Sequence, residues 1–171
     1  MIFILQFIYI YLLFSVVGYL WEVFLYFIKT KKFINRGNFH GPWLSVYGFG
    51  GLITYYIIAN ISNNFIVLFI VSFLATAILE YSISYLEEVI WHNRWWDYSN
   101  KLLNINGRIC LLSLSFFGLF GAVASKYLIN YLNIGYSLKN IYLVFILFII
   151  YLIDFGYTLY SPNVGENISY M

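Results

Sequence analysis

The sequence predicts an all-α, polytopic integral membrane helical bundle of about five transmembrane helices. Hydrophobic residues make up 63% of the 171 positions and charged residues 9%, against roughly 45–50% apolar and 25% charged in soluble domains. The apolar residues gather in runs close to the about 20 that a hydrocarbon core some 30 Å thick demands. Between the runs lie short segments rich in Gly, Asn and basic residues. Nine Lys and Arg with seven Asp and Glu are too few to solvate a domain of this size. A single cysteine rules out a disulfide scaffold, and the hydrophobicity rules out a disordered chain.

Taken in order, the spans are Phe3–Ile28, Trp43–Ala59, Phe65–Ile90, Ile109–Ile129 and Ile141–Tyr160. The first has no basic residues before it and no small-residue cleavage site after it, so it reads as a retained helix rather than a signal peptide. The second is the shortest, and Gly48, Gly50 and Gly51 make its start irregular or re-entrant. In the fourth, Gly118 with Ala122 and Gly121 with Ser125 form small-xxx-small pairs that allow close helix approach, within the chain or across a homo-oligomer seam. Cys110 reads as a small buried apolar side chain of that span. Connecting them are a basic loop (Lys29–Pro42), a turn (Asn60–Asn64), an aromatic loop (Trp91–Gly107) and a linker (Asn130–Asn140). Residues 1–160 thus form a single transmembrane domain, with 161–171 a short cytoplasmic tail.

Lys and Arg set the orientation. With the N-terminus outside, the inside receives Lys29, Lys31, Lys32, Arg36, Arg94, Lys101 and Arg108, and the outside only Lys126 and Lys139. The expected topology is therefore N-out and C-in. It places Trp21, Trp43, Trp91, Trp95 and Trp96 near the cytoplasmic boundary, where an indole is at home. A basic loop there could hold anionic lipid headgroups, whereas a net charge of +2 gives no nucleic-acid footprint.

An ionised carboxylate inside a bilayer costs several kcal/mol unless it is hydrated or paired. Glu22, Glu80 and Asp154 are the three candidates. Ser15, Tyr19, Glu22 and Tyr26 share one face of the first helix, and Thr76, Glu80, Ser84, Glu87 and Trp91 one face of the third. Either Glu22 and Glu80 line a cytoplasm-facing cavity with Arg36, Arg94 or Arg108, or the charges pair only to close the bundle.

The loops hold the densest patterns: Asn35-Arg36-Gly37-Asn38-Phe39-His40-Gly41-Pro42-Trp43 leading to Tyr47-Gly48-Phe49-Gly50, then Arg94-Trp95-Trp96-Asp97-Tyr98-Ser99, then Asn106-Gly107-Arg108-Ile109-Cys110-Leu111. Gly37, Gly41, Pro42 and Gly107 read as structural loop residues. Glu22, Arg36, Glu80, Arg94, Trp95, Trp96, Asp97 and Arg108 are the substrate- or partner-binding candidates.

These motifs, in this order, resemble the CmpB-like ABC-transporter type IV family of small bacterial membrane permeases, over roughly residues 15 to 125. Gly18-Tyr19-Leu20-Trp21-Glu22 and Leu79-Glu80-Tyr81 also fit that pattern, while His40 and Leu44-Ser45-Val46 depart from it. The resemblance implies a permease-like subunit in the cell membrane. The sequence has no G-x-x-x-x-G-K-[ST] phosphate loop, so ATP hydrolysis would come from a separate ATP-binding subunit, and five helices point to an oligomer. Two other readings stand beside transport. One is a non-catalytic scaffold or sensor whose Arg and Trp loops bind lipid headgroups or a partner protein. The other is a membrane enzyme using His40, His92, Glu80 and Asp97 for acid and base chemistry on headgroups, a reading without a catalytic motif to support it. No spacing calls for a metal or a cofactor.

Overall fold

The computed structural model describes residues 2–129 and 141–163, so the linker Asn130–Asn140 and the tail beyond Asn163, with Lys139 and Glu166, lie outside the described residues. The fold is all-helical: α1 (Ile2–Thr30), α2 (Ser45–Tyr56), α3 (Phe65–Trp91), α4 (Leu111–Val123) and α5 (Ile141–Tyr160). α4 continues without interruption into a wider π turn, Ala124–Leu128. Among the described residues four helical stretches are long and apolar enough to cross a membrane: Phe3–Thr30, Phe65–Trp91, Leu111–Leu128 and Ile141–Tyr160.

Each helix stops for a local reason. α1 runs without Gly or Pro near its end until Lys31 takes a left-handed φ of 58° and donates its N–H to Phe27 O. α3 begins where the Asn64 side chain accepts from the backbone N–H groups of Ile66 and Val67, and ends at His92, again left-handed, so both of its ends are capped. Cys110 is buried as expected but stands just before α4, where its Sγ accepts the Ser113 N–H.

α2 differs from its expected span. It has 12 residues, about 18 Å at 1.5 Å per residue, because the chain before it does not reach helix geometry until Ser45. Leu44 donates its N–H to Ser15 O, and Ser15 Oγ donates to Leu44 O at 2.9 Å. Ser15 lies at the middle of α1, about 22 Å from its end, so the loop after α1 turns back and returns to that helix's midpoint. Trp43 is consequently buried against Tyr151 of α5.

The chain divides into two compact units, one holding α1, the loop and α2 as far as Phe49 with α5, the other running from Gly50 through α3 and α4. The first packs Ile10, Tyr11, Leu12, Phe39 and Trp43 around Tyr151, whose ring meets Tyr11, Phe39, Trp43 and Phe155. The second packs Ile58, Leu68 and Ala122 with Phe65 and Phe69. Gly118 lies against Phe69 and Phe73, and Gly121 against Ser72, so the small residues of α4 face α3. Outward faces carry Leu20, Phe24, Leu74, Ile78, Ile146 and Ile153, the composition that lipid requires.

Candidate functional site

In the first unit the loop is built around Asn35. Its side chain accepts the Gly37 N–H and donates to Phe39 O and His40 O, a local turn that an Asn makes readily. Gly37 sits so close to Trp43 O, 2.9 Å from where a Cβ would be, that a side chain would open the turn. Pro42 follows Gly41, whose carbonyl accepts the Trp43 N–H. The loop is tied to α5 from the other side, because Asp154 accepts the backbone N–H groups of His40 (3.2 Å) and Gly41 (2.8 Å). The Asn163 side chain adds a bond to Gly37 O.

This loop delivers Arg36 to Glu22. The guanidinium is buried, lies over the Tyr26 ring and approaches Glu22 Oε2 to 3.9 Å. Tyr47, the third residue of α2, donates its hydroxyl to Glu22 Oε1 at 2.7 Å. Hydrogen bonds to a charged acceptor are stronger than neutral ones, so Glu22 joins three elements: α1, the loop and α2.

The second unit uses the same plan. Glu80 lies close to the midpoint of α3, about 16 Å from its end, and is 2% exposed. Ser113, the third residue of α4, donates to both of its oxygens at 2.8 and 2.9 Å, and Tyr98 from the loop donates at 3.1 Å. The loop between α3 and α4 is fastened by Glu88, which takes Arg94 Nε at 2.8 Å and also binds Arg108 Nη2. Arg108 donates to Ser84 as well and stacks over Tyr81 and Tyr85, which a planar guanidinium does and an ammonium does not. Trp96 donates to Arg108 O, and Trp95 meets Trp91 edge to face. Asp97 caps the turn, accepting Ser99 N–H and Oγ–H; the Ser99 hydroxyl and then its backbone N–H hold the carboxyl below the usual carboxylate range. Gly107, at φ +69°, would place a Cβ 2.4 Å from Asp97 Oδ1.

The expected candidates thus fall into two groups. Glu22 and Arg36 meet in the first unit. Glu80, Arg94, Trp95, Trp96, Asp97 and Arg108 all belong to the second, where Arg94 and Arg108 converge on Glu88. His40 approaches Asp154 at 3.7 Å, whereas His92 closes α3 in the other unit. Sequence reasoning missed Glu88, Tyr47 and Ser113. The Glu87-Glu88 doublet facing a basic loop was the available signal for the first; the two hydroxyls had none among 18 Tyr and many Ser. Among the described residues no group of three or more His, Cys, Asp or Glu is placed to hold a metal ion.

Comparison with known proteins gives one match. The sequence model of a family described as Putative ABC-transporter type IV matches residues 9–159, which extends the resemblance seen in the motifs through α5 and Asp154. No curated protein and no solved structure matches.

Proposed function

The chain belongs to the ABC-transporter type IV family, and from that premise we propose that it is the membrane-embedded subunit of a transporter in the cell membrane. In this reading it is oriented N-out and C-in, and it draws on ATP hydrolysis by a separate subunit. The observation that carries the reading is the return of each loop to the middle of a long helix, Leu44 to Ser15 and the start of α4 to Glu80. Non-helical backbone at membrane depth is tolerated where it is enclosed by protein or lines a polar path, and transporters use such discontinuous elements to place binding groups. Glu22, Arg36 and Glu80 are the groups these loops place, with Arg94, Trp95, Trp96, Asp97 and Arg108 at the cytoplasmic mouth.

The loop after α3 also offers a docking knob. Leu102, Leu103 and Ile105 are all exposed, and Leu103 holds a left-handed φ of 51°, a strained geometry for a branched side chain. In this reading the knob receives the ATP-binding subunit. Purification in mild detergent from the native host tests it: a nucleotide-binding protein should co-purify with the wild-type chain and be lost with Leu102→Asp/Leu103→Asp. Repeated recovery of the chain without such a partner would refute the reading.

A second reading is favoured by the way the charges are satisfied. Glu88 with Arg94 and Arg108, Asp97 with Ser99, and Asp154 with the His40–Gly41 backbone all serve to pin loops. A scaffold that presents rigid loops to lipid headgroups or a partner needs no more. It predicts that the purified chain binds anionic vesicles or a non-nucleotide-binding protein through Lys29, Lys31 and Lys32.

A further inference from the structure

A polar seam runs through the second unit, of which the readings above use only Glu80 and its partner Ser113. Ser72, Thr76, Glu80, Ser84 and Glu87 recur every three or four residues along α3, so they share one strip of the helix. All but Thr76 are buried. α4 meets the strip at Ser113, which bonds Glu80, and at Gly121, where a Cβ would fall 2.5 Å from Ser72 Oγ, which shows that this hydroxyl points into the contact between the helices. Ser72, 1% exposed, holds a buried Oγ that meets no hydrogen-bond partner. Buried hydroxyls in that state call for water or another small hydrogen-bonding species.

The seam is closed at one end and polar at the other. Beyond Ser72 it stops at Leu68, Ile58 and Ala122, packed with Phe65 and Phe69. Toward the end of α3 it continues through Ser84 to Glu87 and the exposed His92 that terminates the helix. Close packing at Gly118 and Gly121 leaves no width for an organic solute. The ionisable groups around it are Glu87 and Glu88 on α3, Tyr98, Arg94 and Arg108 on the loop, and Lys126 at the closed end, over Phe65 and Tyr127. Arg108 is balanced by Glu88 and holds Ser84.

We infer that the second unit is a hydrated half-channel for protons, open at the Glu87–His92 end and sealed by Leu68, in which Glu80 takes up and releases a proton. Uptake breaks one O–H bond, of hydronium or of protonated Glu87, and forms one on the Glu80 carboxylate. Release reverses it, so no co-reactant is consumed. Carboxylates and hydroxyls on one intramembrane strip are the usual material of proton relays, and here two hydroxyls, Ser113 shared between both oxygens and Tyr98 on one, hold the acceptor in place. The inference concerns the chain alone and does not depend on an ATP-binding partner.

Infrared difference spectra of the full-length protein in detergent, acidic against alkaline, test the acceptor. A protonated-carboxyl C=O band should be present in the wild type, shifted in Glu80→Asp and lost in Glu80→Gln. The seal is tested in proteoliposomes carrying a pH-sensitive dye and an imposed pH gradient. Leu68→Ser should leak protons where the wild type does not, and Leu68→Ser/Glu80→Gln should be tight again. A band unchanged in both Glu80 variants, or a Leu68→Ser leak that persists without the carboxylate, would overturn the inference.

Discussion

Gly18 is the position where the smallest change should have the largest readable effect. A Cβ there would lie 2.1 Å from Tyr47 Cγ and 2.4 Å from Tyr47 Cβ, well inside the 3.4 Å at which ordinary contact begins. In Gly18→Ala the tyrosine must retreat by about 1.3 Å, and a 2.7 Å bond from its hydroxyl to Glu22 cannot follow, since a donor–acceptor separation near 4 Å is no longer a hydrogen bond. Overpacking costs about 1–3 kcal/mol and loss of a hydrogen bond to a charged group about 1.5–3 kcal/mol. Together they predict a destabilisation of about 2.5–6 kcal/mol. Thermal unfolding in detergent, followed by size-exclusion chromatography after heating, should show a clear fall in Tm. Tyr47→Gly removes the Cβ, the ring and the hydroxyl together, so the double variant should be destabilised by much less than the sum of the two singles. If Gly18→Ala melts with the wild type, or if the two losses simply add, then α1 and α2 do not meet as described.

Three further outcomes are expected. Gly107→Ala forces an L-residue to φ +69° against Asp97, at about 1–2 kcal/mol for the backbone alone, and should lower Tm with faster hydrogen exchange at Tyr98, whose N–H is bonded to Gly107 O. Asp154→Ala removes the acceptor of two loop N–H groups and should expose the buried Arg36 to limited trypsin cleavage, which the wild type resists. The Asp97 carboxyl, held low in the folded state, contributes stability that is fully present above its unfolded pKa of about 3.9 and fades as pH falls through the lower folded value. Ser99→Ala, which takes away the first cause of the depression, should move the acid loosening of the 97–107 turn upward in pH, read by proteolysis across a pH series.

The helices were legible because a bilayer demands long apolar runs, and α1, α3 and α5 follow that demand with few ambiguities. α2 was legible only as an anomaly: its glycines announced irregularity, but its length depends on Leu44 reaching Ser15, a contact between residues nearly thirty positions apart that no local pattern encodes. The meeting of Glu22 with Arg36 followed from one polar helix face and one basic loop. The choice of Glu88 by Arg94 and Arg108 did not, because adjacent Glu87 and Glu88 face different ways and only the folded loop selects between them. Tyr47 and Ser113 matter because each stands in the first turn of one helix and donates to a carboxylate on another, Glu22 and Glu80, which composition cannot reveal.

The tether from Asp154 to the His40–Gly41 backbone joins residues 114 and 113 positions apart, and this has a consequence for how the protein is made. When α1 and the following loop leave the ribosome, the helix that will satisfy those two N–H groups has not been synthesised. Until α5 arrives those two N–H groups need another acceptor, so the young loop stays in contact with water or with the insertion machinery. α5, translated more than a hundred residues later, is therefore the segment that completes the loop after α1.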